Sequence, residues 1–528
     1  MARSEIATLE EHRLMLQGQL DSKKHQTERN RMGQFATPPE LAVDILRYAE
    51  SQMGVNEKVR FLDPSLGTGS FYSALLKVFP QNYVDAAVGY EIDSHYGIPA
   101  ANLWGKTGLD VRLSDFTQAE APSDSEKFNL LICNPPYVRH HHIDGREKQR
   151  LKACLKKACN MRLSGLAGLY CYFLGLSHEW LAEGGLAGWL VPSEFMDVNY
   201  GAAVRHYLLN DVTLLHLHRF DPNDVQFEDA LVSSAIVWFR KIKPPSEHQV
   251  RFTYGGSLDC PRLERLVPVN ILARNSKWTG YPAREETDGA NVPVLGDFFS
   301  IKRGLVTGNN QYFILTLEEI ERRGLPRETF RPILPSPRYL QKNEVATDRD
   351  GNPVLERRLF LLDCRLGEAQ IRKKYPTLWK YIEEGEALGV AKRYLCRHRM
   401  PWYAQEDRPP APFVCTYLGR SGAKSGRPFR FILNHSQATA ANVYLMLYPK
   451  GPIARAMEED TTLKKRLWEF LNEISPELML GEGRVYGGGL HKLEPGELSK
   501  VPAAAFTELL PKSVQLQQEK QSELFAVA

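Results

Sequence analysis

The chain has 528 residues, 43% of them hydrophobic and 25% charged, with a net charge of +4. This length and composition predict a soluble globular protein of two or three domains. No run of about 18 apolar residues suits a membrane span, and the N-terminus lacks the apolar core of a secretory signal. We therefore expect a cytoplasmic protein without a membrane partner. The eight cysteines form no CxxC pair, which predicts reduced thiols.

Residues 1–30 form a predicted N-terminal helical extension, because leucine and isoleucine recur there at near-helical spacing amid charges. A lid, a dimer contact and a packing helix all fit this pattern, and packing is the simplest of the three. Residues 31–40 are rich in turn formers and lead into a helix for which Thr37 is a suitable cap.

Residues 31–245 alternate apolar strands with amphipathic helices. This alternation predicts an α/β domain whose mostly parallel, twisted sheet is wrapped by helices and ends in an antiparallel hairpin. The stretch KPPSEHQ, near residue 245, has the composition of a linker. Residues 250–510 mix short strands, prolines and charged helices, which predicts a separate mixed α+β domain. Residues 511–528 are expected to form a tail.

A glycine-bearing turn, DPSLGTGS, joins the first predicted strand to a helix at residues 63–70. Gly67 and Gly69, after Asp63 and Pro64, let the backbone approach a ligand closely, and the helix N-terminus attracts negative charge. The spacing is neither GxGxxG nor GxxxxGK[ST], which argues against NAD and ATP as the ligand.

Acidic residues end the next two predicted strands. Glu91, followed by Ile92, stands where a carboxylate can accept both hydroxyls of a ribose. Asp115 could accept a hydrogen bond from an adenine amino group, and Phe116 could pack on the adenine ring. Because these features follow one another on successive strands, they indicate one ligand site.

The segment Asn134-Pro135-Pro136-Tyr137 ends the fourth predicted strand. An amino group on an aromatic base is a poor nucleophile because its lone pair is delocalised. The side-chain oxygen of Asn134 and the carbonyl of Pro135 could each accept one N–H of that amine and aim its lone pair at a methyl group. Tyr137 offers a ring face on which a planar target can stack.

In this order, DPSLGTGSF, GYEID, SDF and NPPYV resemble the motifs of the N6-adenine DNA methyltransferases, and GQFATP resembles their first motif. The order of the parts, with all of these motifs before an unrelated C-terminal half, resembles the gamma arrangement. This arrangement is typical of TaqI-like enzymes, which are type II restriction-modification methylases. The resemblance implies a Rossmann-like class I methyltransferase domain that uses S-adenosylmethionine. The cofactor-binding residues that it implies are Thr37, Asp63, Pro64, Gly67, Gly69, Glu91, Ile92, Asp115, Phe116 and Asn134.

The resemblance also implies double-stranded DNA as the partner. The segment VQFEDALVSSAIVWF is similar to the family's hairpin with a second aromatic wall, which makes Phe227 the partner of Tyr137 around an extruded adenine. IKRGLVTGNNQYFIL, FILNHSQATAANVYLMLYPK and YGGGLHKLEPGELSKVP resemble the target-recognition region, so the likeness covers residues 31–502. Ser65-Leu66 differs from the small residue and Cys usual in the family, and we expect the backbone contacts at Gly67 and Gly69 to be retained.

Basic and aromatic residues predict where DNA binds. Residues 392–430 hold nine Lys or Arg against two acids, interleaved with aromatic residues, and such side chains neutralise phosphates and stack or wedge. The predicted DNA-binding residues are Arg139, Arg303, Asn309, Asn310, Arg397, Arg399, Trp402 and Arg427. No metal is expected, because the adjacent histidines 140–142 lack ligand spacing.

Other functions compete with this interpretation. Methylation of protein glutamine or RNA guanine suits the same chemistry but leaves the C-terminal half without a role, and a non-catalytic DNA-binding subunit conflicts with the intact motifs. A fused endonuclease is rejected because the leading 30 residues are too few, whereas a separately encoded endonuclease is a family inference. N4-cytosine methylation uses the same amine chemistry, and in the family Asn134 favours adenine. We expect a monomer.

Overall fold

The structure is a computed structural model that describes residues 3–54, 57–221, 234–282, 293–420, 427–476, 478–479, 483–486 and 490–509. The chain forms two compact units. The first contains Met1–Glu286 and Tyr486–Gly488, and the second contains Thr287–Val485 and Gly489–Ala528. In these described ranges, no helix is long and apolar enough to cross a membrane.

The first unit contains one large sheet and the helices that cover it. Its helices are α1 (Arg3–Ser22), α2 (Gln26–Met32), α3 (Pro39–Gln52), α4 (Ser70–Val78), α5 (Ser94–Trp104), α6 (Gly145–Cys159), α7 (Leu169–Leu176), α8 (Ala202–Asn210) and α9 (Val269–Arg274). Its strands are β1 (Val59–Asp63), β2 (Val84–Tyr90), β3 (Leu109–Arg112), β4 (Phe128–Cys133), β5 (Leu181–Pro192), β6 (Thr213–Arg219), β7 (Ser234–Arg240), β8 (Gln249–Gly256) and β9 (Pro261–Pro268).

The strand order of this sheet is β3-β2-β1-β4-β5-β7-β6-β8-β9. The first five strands in that order are parallel, and β7 is antiparallel to both β5 and β6. The α/β prediction, with a mostly parallel sheet and an antiparallel hairpin, is therefore confirmed. Strand order reverses between β1 and β4, and parallel sheets bind ligands beyond the carboxyl ends of the strands at such a point.

The sheet continues further along the chain than the residue pattern indicates. β8 pairs in parallel with β6, and β9 pairs with β8 in the antiparallel direction. The proline-rich turn near residue 245 interrupts the alternation without ending the sheet, because Val250 and Phe252 remain buried in the core beside β6.

Alternate residues of each central strand enter two different cores. In β4, Leu130 and Ile132 pack in one cluster with residues of α3 and α4. Leu131 and Cys133 point to the opposite face and join a cluster with residues of α7 and α8. A strand buried on both faces reads as a continuous apolar run, which explains the sequence FNLLIC.

The N-terminal extension consists of two helices, α1 and α2, separated at residues 23–25. α1 contacts α4 and α5, and its Ile6 and Leu20 are buried. Arg13 is also buried, at 1% exposure, and its guanidinium donates to both carboxylate oxygens of Glu10 at 2.7 and 2.9 Å. A buried, paired cation fixes the helix more specifically than apolar packing alone.

The second unit has smaller sheets. Its helices are α10 (Leu295–Phe298), α11 (Asn310–Phe313), α12 (Leu317–Arg322), α13 (Glu368–Lys374), α14 (Pro376–Ala387), α15 (Gly451–Glu459), α16 (Leu463–Glu473) and α17 (Pro495–Leu498). Its strands are β10 (Phe299–Arg303), β11 (Ile314–Thr316), β12 (Phe330–Ile333), β13 (Glu344–Val345), β14 (Leu359–Leu362), β15 (Phe413–Thr416), β16 (Leu418–Arg420), β17 (Phe431–Asn434), β18 (Tyr444–Pro449), β19 (Arg484–Tyr486) and β20 (Leu490–Lys492). One sheet has the order β10-β18-β15-β17-β13 and another the order β11-β14-β12.

Candidate cofactor and active site

The turn between β1 and α4 contains two glycines with different structural roles. Gly67 has a φ of +57°, and a Cβ there would meet no protein atom within 4 Å. Gly69 has a φ of +89°, and its Cβ would lie 2.5 Å from Nε1 of Trp104, which donates to the Thr68 carbonyl at 2.8 Å. Gly67 therefore leaves open space for a ligand, whereas Gly69 allows the close packing of α5.

A cavity of about 450 Å³ opens beside this turn in the first unit. Most of the predicted cofactor residues line it, and they come from five separate chain segments. They are Thr37, Asp63, Pro64, Gly67, Glu91, Ile92, Asp115, Phe116 and Asn134. Gly69 does not line it. The cavity is large enough for a nucleoside-sized ligand.

Asp63, at the end of β1, has two carboxyl oxygens in different environments. The side chain is 1% exposed, and Oδ1 accepts the backbone N–H of Ser65 at 3.0 Å. Oδ2 is buried without a hydrogen bond among the described residues. Burial, together with the nearby Glu91, raises the pKa of Asp63 to about 8. An unsatisfied buried carboxylate oxygen fits the ammonium group of the methionyl part of S-adenosylmethionine.

Glu91 follows β2 and is held by two backbone donors. Its Oε2 accepts the N–H of Gly67 at 2.9 Å, and its Oε1 accepts the N–H of Asp93 at 2.8 Å. Burial raises the pKa of Glu91, although these two bonds oppose the shift. Each carboxylate oxygen retains a second lone pair, so the group can also accept hydroxyl donors such as those of a ribose.

Asp115 and Phe116, which follow β3, also line the cavity. Asp115 Oδ1 accepts from the backbone N–H of Thr117 at 2.9 Å, and Oδ2 accepts from Gln118 at 2.9 Å. Phe116 is buried, and its ring centre lies 5.0 Å from that of Trp180. Ile92, in contrast, is 65% exposed. An exposed isoleucine at a cavity wall offers apolar surface to a ring.

The amide of Asn134 is fixed by the loop that contains GQFATP. Its Nδ2 donates to the Phe35 carbonyl at 3.0 Å and to Thr37 Oγ1 at 3.1 Å. The Thr37 carbonyl in turn accepts from Ser70 Oγ at 2.8 Å, at the start of α4. Because both amide protons are engaged, Oδ1 is the side-chain atom that can accept a hydrogen bond from a ligand. In the described part of the chain, Oδ1 has no protein partner.

Tyr137 is more enclosed than its place in NPPY indicates. The side chain is 8% exposed, its hydroxyl donates to the Leu190 carbonyl at 3.1 Å, and burial raises its pKa. Its ring centre lies 5.7 Å from that of Phe35. Pro135 is buried and does not line the cavity. Phe227 lies outside the described residues.

The predicted DNA-binding residues occupy several environments. Arg139 is exposed beside the cavity segment at residues 142–144, and Arg397 and Arg427 are exposed in the second unit. Arg303 lies over the ring of Tyr417, with its guanidinium carbon 4.2 Å from the ring centre.

Other predicted DNA-binding residues hold a loop at residues 306–310. Arg399 donates to the carbonyls of Val306 and Thr307. Asn310 Oδ1 accepts from Thr307 Oγ1 at 2.6 Å, and the N–H of Asn309 donates to the same hydroxyl at 3.1 Å. The indole of Trp402 donates to Glu386 at 3.1 Å.

Several cavity residues were not predicted from the sequence. Gln17 and Asp21 on α1 and Tyr96 on α5 line the cavity. Asp21 accepts from the Tyr96 hydroxyl at 2.8 Å, and Gln17 accepts from Thr68 Oγ1 at 2.6 Å. The only sequence signal for Gln17 and Asp21 was their position on the predicted N-terminal helix, and that pattern is equally typical of a solvent-exposed face.

Both halves of the chain are similar to known proteins. The family model for the Eco57I restriction-modification methylase matches residues 91–226, and that for the C-terminal domain of the type II methyltransferase M.Eco57I matches residues 283–525. The type II methyltransferase M.XamI of Xanthomonas campestris pv. amaranthicola is 28% identical over 89% of this chain and 85% of its own length. M.AccI of Acinetobacter calcoaceticus is 25% identical over the same shares.

Solved structures are similar in fold. The type IIL restriction-modification enzyme MmeI, solved in complex with DNA, has a TM-score of 0.52 and 12% identity, covering 95% of this chain and 67% of that one. The two family models and the two relatives, together with the cavity at the reversal point of the sheet, support an S-adenosylmethionine-dependent DNA methyltransferase of a restriction-modification system.

Proposed function

We propose that this enzyme methylates the N6 amino group of adenine in double-stranded DNA. The observation that carries the proposal is the orientation of Asn134. Its two amide protons are given to Phe35 and Thr37, so its oxygen is available to an amino group. Bound S-adenosylmethionine supplies the methyl group. The protein's part is to position the amine and to accept hydrogen bonds from its two N–H groups.

The target amine needs two acceptors to be held tetrahedrally. Asn134 Oδ1 accepts one N–H, and the carbonyl of Pro135 accepts the other. This arrangement would draw the lone pair out of conjugation and aim it at the methyl group. As the C–N bond formed, the bond between the methyl carbon and the cofactor's sulfur would break, and the methylated amine would release one proton to water. Adenine and cytosine amines both satisfy this chemistry, and Asn at the first position of the motif favours adenine.

The cofactor is proposed to lie along the cavity from Asp63 to Phe116. Asp63 faces the ammonium group, Glu91 accepts the ribose hydroxyls, and Asp115 accepts from the adenine amine. The cofactor's ring packs against Phe116 and Ile92. Backbone at Pro64 and Gly67 lines the route between these groups.

The target base is proposed to leave the duplex stack, because its amine is otherwise inaccessible. Tyr137 and Phe227 would then enclose it. Stacking on Tyr137 requires that the ring be uncovered, since it is 8% exposed and lies beside Phe35. DNA binding is therefore expected to move the Phe35 ring away from Tyr137, while the Phe35 carbonyl and Thr37 Oγ1 keep hold of Asn134.

We propose that the target sequence is read by the part of residues 250–510 that lies in the second unit, and that the first unit, to whose sheet β8 and β9 belong, carries catalysis. Exposed arginines such as Arg139, Arg397 and Arg427 suit contacts with phosphates or guanine edges. Arg303, Asn309, Asn310, Arg399 and Trp402 are proposed to position or contact DNA from the same region. We also propose that the enzyme acts as a monomer in the cytoplasm, with a separately encoded endonuclease as its functional partner.

Transfer of a labelled methyl group tests this function. Purified protein is incubated with the labelled cofactor and unmodified duplex DNA, RNA or a protein mixture, and the modified DNA base is mapped at single-base resolution. The expected product is N6-methyladenine at one short sequence. If the product is N4-methylcytosine, the target base is cytosine and not adenine. If the label enters RNA or protein, the substrate is not DNA. If the protein binds the cofactor but transfers no methyl group, it is a non-catalytic subunit.

A further inference from the structure

Lys24 lies in the turn between α1 and α2, where three parts of the cavity wall meet. Its Nζ forms an ion pair with Asp93 Oδ2 and donates to Gln34 Oε1 at 3.1 Å. The ammonium also lies 5.2 Å from the ring centre of Tyr96. Gln34 and Tyr96 line the cavity, whereas Lys24 lies behind it. The side chain is only 13% exposed, so the lysine is enclosed by these partners.

One set of contacts leads from Lys24 to Glu91. The backbone N–H of Asp93 donates to Glu91 Oε1 at 2.8 Å, and the Asp93 side chain accepts from the N–H of His95 at 3.0 Å. Burial acts to raise the pKa of Asp93, but bonds from Lys24 and Gln34 outweigh it and lower that pKa. The charged carboxylate therefore depends on the lysine, and the backbone that orients Glu91 depends on the carboxylate.

A second set leads from Lys24 to Asn134. Gln34 Nε2 donates to Asp93 Oδ2 at 2.8 Å, so the lysine, the carboxylate and the amide form a closed triangle. The next residue, Phe35, accepts from Asn134 Nδ2 at 3.0 Å. Anchoring the side chain of Gln34 therefore fixes the carbonyl that orients Asn134.

We propose that Lys24 is a positioning residue that couples cofactor binding to the orientation of Asn134. This proposal rests on the roles proposed above for Glu91 and Asn134. It means that the N-terminal extension, which contains Lys24, contributes to the reaction. Removal of the ammonium leaves Asp93 mostly buried without a counter-charge and releases Gln34. Glu91, which is proposed to hold the ribose, and Asn134, which is proposed to hold the amine, then lose contacts that keep them in position.

Two lysines that are adjacent in the chain provide a matched comparison. Lys24→Met removes the cation and keeps the length of the side chain, Lys24→Arg keeps the cation, and Lys23→Met alters an exposed neighbour. For each full-length variant, calorimetry gives the Kd of S-adenosylhomocysteine without DNA. Single-turnover methylation of a duplex, at saturating S-adenosylmethionine, gives the rate after cofactor binding. Lys24→Gln serves the same purpose if the methionine variant fails to fold.

We expect Lys24→Met to raise the Kd at least fivefold and to lower the saturated single-turnover rate at least fivefold. Lys24→Arg should restore most of both quantities, and Lys23→Met should stay within twofold of the wild type. A change in Kd alone, or no change in either quantity, would overturn the proposal. If the wild-type enzyme methylates another base, the proposed function is wrong. The comparison of Kd values between the lysine variants can still be interpreted in that case, because the Kd is measured without DNA.

Discussion

The amide of Asn134 gives the most direct test of the catalytic geometry. Asn134→Ala removes the side-chain oxygen that accepts a hydrogen bond from the target amine. Because this oxygen lies in a partly buried site, such a hydrogen bond is strong. Loss of one preorganised hydrogen-bonding group in an active site lowers turnover by roughly 10² to 10³-fold, or about 3 to 4 kcal/mol. We expect that loss in the single-turnover rate at saturating cofactor, with the Kd for duplex DNA changed less than threefold.

A graded variant tests the orientation separately from the acceptor. Thr37→Val removes one of the two acceptors of Asn134 Nδ2, and one neutral hydrogen bond is worth about 0.5 to 1.5 kcal/mol. At tenfold per about 1.4 kcal/mol, the rate should fall about two- to twelvefold, while Thr37→Ser should stay near the wild type. A loss below tenfold for Asn134→Ala, or Thr37→Val matching it, would refute the reasoning.

Three further predictions follow from buried polar groups. Arg13→Met leaves Glu10 with Lys77 at 3.4 Å as its remaining cation, so the free energy of unfolding in urea should fall by about 3 kcal/mol. The double variant Glu10→Leu/Arg13→Met should recover most of it, and equal instability of the two would contradict the explanation. Asp63, with a pKa of about 8, is mostly protonated at pH 7 and should lose its proton when it faces an ammonium group. Calorimetry in buffers of different ionisation enthalpy should therefore detect proton release with S-adenosylmethionine, but not with adenosine or with Asp63→Asn. Burial lowers the pKa of His216 to about 3 and that of His218 to about 4. Their contribution to stability is complete above the unfolded pKa of about 6.5 and is lost as pH falls toward these values. Urea unfolding at pH 7 and pH 5 should show a smaller loss for His218→Gln than for the wild type, and an equal loss would exclude this pair as the cause.

Much of the catalytic fold is evident in the order of the sequence. FNLLIC and AAVGY are apolar runs typical of a parallel strand covered on both faces, and each is followed by a polar residue. Because the carboxyl ends of parallel strands meet at one edge, Asp63, Glu91, Asp115 and Asn134 were expected to converge. The structure brings all four to one cavity.

The N-terminal wall of the cavity could not be predicted in the same way. Its contacts join residues far apart in the chain, such as Arg13 to Thr68 at 3.2 Å and Lys24 to Asp93. Periodicity shows which apolar residues face a core, but it does not show that a charged residue is buried against another segment. Arg13 and Lys24 therefore have the sequence pattern of exposed residues and the environment of enclosed ones.

Hydrogen-bonding capacity separates ligand-facing residues from structural ones where residue type does not. Arg399 was predicted to contact DNA from its place in a basic segment, yet its guanidinium donates to the carbonyls of Val306 and Thr307. Asp63 Oδ2, in contrast, is buried without a partner among the described residues. A buried polar atom without a partner costs about 1 to 3 kcal/mol, a cost that ligand binding can remove. A substitution at Arg399 should therefore act mainly through the loop that it holds, whereas one at Asp63 should act directly on the ligand.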